Sequence, residues 1–405
     1  MELFNKNKNL FEREINKKNQ RKKRDIIYDK YSFNLRIGKH FSGSSPPEIF
    51  VGRYNYPNVY AGILSPDFFD NTEELSMPEI WHEKNFSIGE ILTKRNKLVY
   101  GRFKAEVKKT NKFTKLMQEI SMAYKPVSTE FFLKKPPKQN LEINKFSPII
   151  TNQAPLEFVR LQENPKINSK VDYLVSDTDN RSVNSVIELY KNNIPISNIN
   201  KILSAGLLGL KNKRRLVPTR WSITAVDDII SKNLLRKIRF YQEISDILVF
   251  NSEYNGNHYE ILLLPDKFSF EVIEADIKFF GNKFEKVSFW QDHEFFYDRK
   301  TYAEEVVGAY YANRLALCEY LDKIKKQGRA IFLREIKSDY YAPLGVGILR
   351  ETCRDAFSKM PEKFDNLEEA FSVIQNRLRL NVDIFRERSV ILKEYGRQVR
   401  LDRFY

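Results

Sequence analysis

The stretch Val217-Pro218-Thr219-Arg220-Trp221-Ser222-Ile223-Thr224 gathers the side chains best suited to holding an anion. Arg220 offers a planar fork of N–H donors to a phosphate, and Thr219, Ser222 and Thr224 add hydroxyls beside it. A proline turn leading into a helix start would add free backbone amides. Trp221 has a face broad enough to stack on a base. The competing account is a turn and helix cap, with Trp221 in the core. A second block of small residues, Phe41-Ser42-Gly43-Ser44-Ser45-Pro46-Pro47, leads to Gly52-Arg53-Tyr54. It reads as a loop whose amides, with Ser44, Arg53 and Tyr54, line a phosphate or nucleotide pocket. A plain turn explains it equally well.

Acidic candidates follow. Asp177 and Asp179 fall on one side of an expected extended turn, and Asp227-Asp228 come just after the Trp221 block. With Glu260, Glu271 or Glu274 they form the kind of carboxylate set that holds Mg²⁺ in phosphoryl chemistry. Helix capping is the rival role for Asp177, Asp179 and Asp227. The four histidines include no i, i+4 pair and have no cysteine support, so no metal site is expected. Arg334-Glu335 and Arg350-Glu351 read as structural ion pairs. There is no Walker loop, G-x-S-x-G or G-x-G-x-x-G motif, which leaves catalytic residues and any cofactor unassigned.

These side chains need a scaffold, and the chain is long enough for two or three domains. Four segments are expected: a basic arm over 1–40, an α/β region over 41–240, strands then helices over 241–396, and a tail over 397–405. The fold class is α/β or α+β, with a mixed sheet core and a helical C-terminal third. Ile49–Val51 and Asn58–Ala61 read as short strands between turns. Runs near 247–275 read as strands of one antiparallel sheet, and Phe332–Ile336 as another strand. Ser87 and Glu90 have capping-box spacing. Asp172–Arg181 reads as strand then turn. Thr224 and Asp227 read as preceding a helix, and Tyr302–Gln327 as one long helix. Helices are also expected at 113–123, 183–192 and 351–357, and between 366 and 393. An apolar helix near Ile199 ends toward Gly209.

Charge points to a partner. The net charge is +15 with a pI near 9.4, which favours an anionic ligand, nucleic acid first. The basic arm holds Lys17-Lys18 and Arg21-Lys22-Lys23-Arg24, a run able to track phosphates. No apolar window reaches the length of a membrane span, and no apolar run marks a secretory signal. Cys318 and Cys353 lie in helical patterns and read as buried thiols of a reducing compartment. A cytoplasmic location with no membrane partner is expected.

The last eight residues, Gln398-Val-Arg-Leu401-Asp-Arg-Phe404-Tyr405, form the pattern Q-x-x-L-x-x-F-Y. One helical turn puts Leu401, Phe404 and Tyr405 on one side, a compact aromatic anchor of hot-spot composition. Gln398 can donate and accept at a pocket edge. The pattern resembles the peptide that docks replication and repair proteins onto the PCNA sliding clamp. The rival account is an amphipathic tail folded back on its own domain.

Longer blocks carry a broader resemblance: Phe41-SGSSPPEIFVGRYNYPNVYAG-Ile63, Val175-SDTD-Asn180, Ile202-LSAGLLG-Leu210, Arg215-LVPTRWSITAVDD-Ile229, Arg299-KTYAEEVVGAYYANRLALCEYL-Asp322 and Pro343-LGVGILRETCRDAF-Ser358. Together with the tail they make the chain similar to the archaeal Nre family of PCNA-interacting DNA-repair proteins. The resemblance implies repair function and clamp contact and leaves the chemistry open. Some members carry an N-terminal Cys-rich segment, whereas residues 1–40 here contain no cysteine. The expected function is therefore a DNA-binding repair factor recruited by PCNA. The alternatives are a nucleotide- or DNA-modifying enzyme and a non-catalytic repair adaptor.

Overall fold

The computed structural model describes residues 37–138, 149–150, 152–280 and 283–396. Gln398, Leu401, Phe404, Tyr405 and residues 1–36 of the basic arm lie outside the described residues. The fold is mixed α/β and divides into two compact units. The second unit draws on a short excursion, residues 78–85, that holds helix α1 (Pro78–Glu83), and then on 169–340 and the chain from 345. The first takes the rest.

The first unit is built on a six-stranded sheet. Its strands are β1 (His40–Ser45), β2 (Glu48–Val51), β3 (Asn58–Ser65), β4 (Val99–Glu106), β5 (Val127–Leu133) and β6 (Gln153–Leu161), in the order β1-β5-β6-β4-β3-β2. Only the β4–β6 pair is parallel. Helix α2 (Ile88–Asn96) starts at the expected capping box: Glu90 N–H donates to Ser87 Oγ at 3.3 Å, and Ser87 N–H donates to the Glu90 carboxylate at 2.8 Å. Helix α3 (Lys112–Met122) buries Met117 and Ile120 and sets Phe113 against Phe103, ring centres 5.3 Å apart. Ser42–Ser45 are not a loop as expected but part of β1. A Cβ on Gly43 would lie 2.1 Å from the Pro66 carbonyl oxygen, so the small residue serves close backbone approach rather than a turn.

In the second unit, α4 (Ser169–Ser176) stands where the strand of the expected strand-then-turn over 172–181 was to begin. Val171 and Leu174, three apart, bury one helical face. Then come α5 (Ser182–Lys191), α6 (Ile196–Ser204) and α7 (Thr219–Ile238). A two-strand ribbon joins β7 (Gln242–Glu243) to the later β12 (Lys326–Gln327). The main sheet has β8 (Ile247–Tyr254), β9 (Asn257–Leu264), β10 (Ser269–Phe280), β11 (Lys283–Glu294), β13 (Arg329–Ile336) and β14 (Glu362–Phe364), ordered β11-β10-β13-β9-β8-β14. It is mixed rather than antiparallel, because β13 inserts between β9 and β10 and pairs parallel to β10.

Helix α8 spans Gly308–Ile324, shorter than the expected 302–327. Asp292 on β11 accepts the amides of Glu305 at 3.0 Å and Val306 at 2.7 Å, which holds the preceding residues in a loop. Helix α9 (Val346–Ser358) follows β13. Helices α10 (Leu367–Arg377), α11 (Val382–Arg388) and α12 (Val390–Glu394) share one core with Ile273, Ala275, Ile331 and Leu333 of the sheet.

Gly62 supplies a test of the first unit. A Cβ there would sit 2.1 Å from the Gly101 carbonyl oxygen across the β3–β4 pair. Gly62→Ala is expected to destabilise the protein by about 3 kcal/mol. Chemical denaturation of the variant beside wild type measures it.

Candidate functional site

The polar block found in the sequence forms the first turns of α7. The helix starts at Thr219, with Pro218 at the cap at φ −48° and no side-chain cap. Thr224 and Asp227 therefore lie inside the helix and do not precede it. Two hydroxyls point inward. Ser222 Oγ donates to the Asn200 carbonyl on α6 at 2.7 Å, and Thr219 Oγ1 lies 3.2 Å from Ser204 Oγ. Tyr302 Oη donates to Thr224 Oγ1 at 3.4 Å. Arg220 is half-buried, and Trp221, 46% exposed, is not a core residue. Arg220 and Trp221 thus keep part of their surface exposed at a helix start, while the Ser and Thr residues of the block fasten α7 to its neighbours.

Deeper in α7 the two aspartates are each held by an arginine. Asp227 has no exposed surface and accepts from Arg350 Nη1 of α9 at 2.8 and 3.1 Å. Burial pushes its carboxyl above the usual range, and the facing guanidinium opposes that rise. Asp228 pairs with Arg314 of α8, whose other amino group binds Glu294 of β11 at 3.0 and 3.2 Å. Arg354 joins Glu351 at 2.9 Å and Glu319 at 2.6 Å, and Tyr190 donates to Glu319 at 2.9 Å. The sequence reading missed this network. Its signal was Asn313-Arg314 within the otherwise apolar Ala309–Cys318 run. Burial lifts the Cys318 and Cys353 thiols well above their ordinary range, which leaves both unreactive.

The other acidic candidates are scattered. Asp177 Oδ1 accepts the Asp179 amide at 3.1 Å and so closes a turn, while α5 is capped from Arg181 with no side-chain bond. Glu274 pairs with Arg334, Glu260 with Arg377 at 2.9 Å, and Glu271 accepts from Ser389. Among the described residues no group of three or more His, Cys, Asp or Glu side chains is placed to hold a metal ion.

Ser44, Arg53 and Tyr54 belong to the first unit. Ser44 is buried on β1, where its amide donates to the Phe68 carbonyl at 3.0 Å and its carbonyl accepts from Thr72 Oγ1 at 2.8 Å. It borders a cleft of about 540 Å³ also lined by Lys125, Lys166, Asp70, Glu73 and Glu163. Three acids against two lysines give this cleft no excess of positive charge for a phosphate. Arg53 and Tyr54 sit on the exposed β2–β3 hairpin, with the guanidinium 5.1 Å from the ring centre.

Residues 24–279 match the family described as "Archaeal Nre, N-terminal", and residues 294–404 match "Archaeal Nre, C-terminal". The chain belongs to the archaeal Nre family. It is 37% identical over 373 residues to the DNA repair protein NreB of Archaeoglobus fulgidus, covering 91% of this chain and 93% of that relative. The NreA protein of the same organism is 35% identical over 370 residues, covering 87% and 89%. The DNA repair protein NreA of Haloferax volcanii is 30% identical over 367 residues, covering 87% of each. No solved structure matches this Nre chain.

The buried pair makes a stability prediction for this Nre member. Arg350→Met leaves Asp227 as an unpaired buried charge and is expected to cost about 3–5 kcal/mol. Asp227→Leu added to it should recover most of that loss. Urea denaturation of the three variants, Arg350→Met, Asp227→Leu and the double, separates a structural pair from independent residues: additive losses would contradict the pairing.

Proposed function

We propose that this Nre family member is a cytoplasmic DNA-repair factor that binds DNA and is recruited to PCNA through Gln398, Leu401, Phe404 and Tyr405. The observation that carries this reading is similarity to relatives named as DNA repair proteins along nearly the whole chain. The family's C-terminal region runs through residue 404 and so includes most of the clamp-type peptide. The charge of +15 supports an anionic partner. Among the described residues no helix is long and apolar enough to cross a membrane.

The clamp contact is testable by itself. Phe404→Ala with Tyr405→Ala removes two aromatic anchors, each worth about 2 kcal/mol or more at a hot spot, so affinity should fall about a hundredfold or more. Titration calorimetry against the organism's own clamp reads the change, and the melting temperature should stay at the wild-type value. Unchanged affinity would remove the docking role; a large drop in melting temperature would instead favour a folded-back tail.

DNA binding makes a second prediction. Affinity should fall steeply with salt, and deletion of 1–25 should flatten that dependence. Binding that ignores salt contradicts a phosphate-led contact. Arg220→Ala should weaken repair of DNA damage in cells while leaving the melting temperature unchanged. A loss of function that merely follows a loss of stability would make Arg220 structural.

A further inference from the structure

One face of the first unit's sheet is covered and the other is partly open. Phe131 of β5 and Leu156 of β6 both reach the place where a Cβ on Gly101 of β4 would stand, so these three positions share the packed face. The alternate positions therefore share the opposite face. At one end of that face Leu64, Leu75, Leu98, Tyr100 and Ile150 form a small core. Away from that core the face carries aromatics and cations.

Three rings lie in a row across adjacent strands. Register places His40 of β1 opposite Phe132 of β5, and Phe132 opposite Phe158 of β6. The His40 and Phe132 rings stack at 4.4 Å, and Phe132 and Phe158 are 5.9 Å apart. Phe158 is 40% exposed. Across β4, Tyr60 of β3 is 39% exposed and pairs in register with the exposed Lys104. Arg102 stands over the Tyr60 ring at 4.5 Å and is held by Gln153 at 2.6 Å. The adjoining hairpin presents Tyr54, 74% exposed, beneath Arg53.

Two of the nearby acids are already paired, and a third, Glu157 beside Phe158, is exposed. Glu130 is shared by His40 and the exposed Arg160, and Glu106 pairs with Lys109 at 2.6 Å. Those two bonds to Glu130 hold its carboxyl below the usual range. The surface therefore combines excess positive charge with exposed rings, each of which already has a cation or another ring at one side. Single exposed aromatics are common on proteins, but a cross-strand row of them flanked by cations is complementary to a polyanion with apolar bases.

We propose that this sheet face, from Phe158 and Phe132 to Tyr60 and the Tyr54 hairpin, is a stacking platform for single-stranded DNA. The rings take unpaired bases, and Arg102, Lys104 and Arg53 take the phosphates between them. A duplex keeps its bases stacked on each other and offers these rings nothing to cover. The choice of DNA rests on the repair reading above; the choice of a single strand rests on the rings.

Fluorescence anisotropy of the full chain with a labelled 20-mer of thymidylate, over a range of salt, tests it. Phe158→Ala and Tyr60→Ala should each weaken binding about tenfold at every salt concentration, with the salt dependence unchanged. Arg102→Ala and Lys104→Ala should flatten the salt dependence. Phe158→Tyr and Tyr60→Phe should restore affinity, which separates stacking from misfolding. If both alanine variants bind as wild type does, the platform is refuted while general DNA binding stands. Equal competition by duplex, or stronger competition by oligouridylate, also refutes it. If the wild type binds no DNA at low salt, the DNA-binding reading fails as well.

Discussion

A buried carboxylate stays in a protein core only if a cation or a set of N–H and O–H donors meets it, and in the second unit that constraint arranges the helices. Asp227 has no access to water, and Arg350 is almost as deep. Each would be costly alone, so α7 and α9 keep one relative placement. Arg314 applies the same rule to three elements at once, binding Asp228 on α7 and Glu294 on β11 from α8. Apolar contacts fill the space between these helices, but such contacts tolerate sliding. The ion pairs define the register.

The opposite face of the same sheet uses carboxylates differently. Glu335 accepts the amides of Arg379 and Leu380 at 2.8–3.0 Å, and Glu271 accepts those of Val390 and Ile391 at 2.9 and 3.3 Å. These two strand residues satisfy backbone donors at a loop and at a helix start. Glu260 adds a bidentate grip on Arg377 and a contact with His258 at 2.9 Å. The C-terminal helices are thus attached by fixed polar points around the shared apolar core.

Much of this was legible in the sequence where the signal is local. The Ser87–Glu90 capping box, the β-runs at Ile247 and Tyr259, and the buried cysteines follow from spacing and residue type. What could not be read depended on distant partners. Asp292 sets the start of α8 from across the loop, and no pattern within 302–307 reveals it. Likewise β13 enters the sheet between strands far earlier in the chain. In the candidate site, the Ser and Thr residues of the Trp221 block suggested ligand contacts, yet Ser222 proved to be an interhelical donor, because α6 lies alongside. The Gly-Ser block looked like a turn, since small residues serve both turns and close strand packing.

The Glu271 and Glu335 attachments have a mechanical consequence. Both receive hydrogen bonds from the last stretch of described chain, and both stand on strands inside the sheet rather than at its edge. Tension applied from the C-terminal side would meet the Glu271 bonds at Val390 and Ile391 first, and the Glu335 bonds at Arg379 and Leu380 only after α11 had come away.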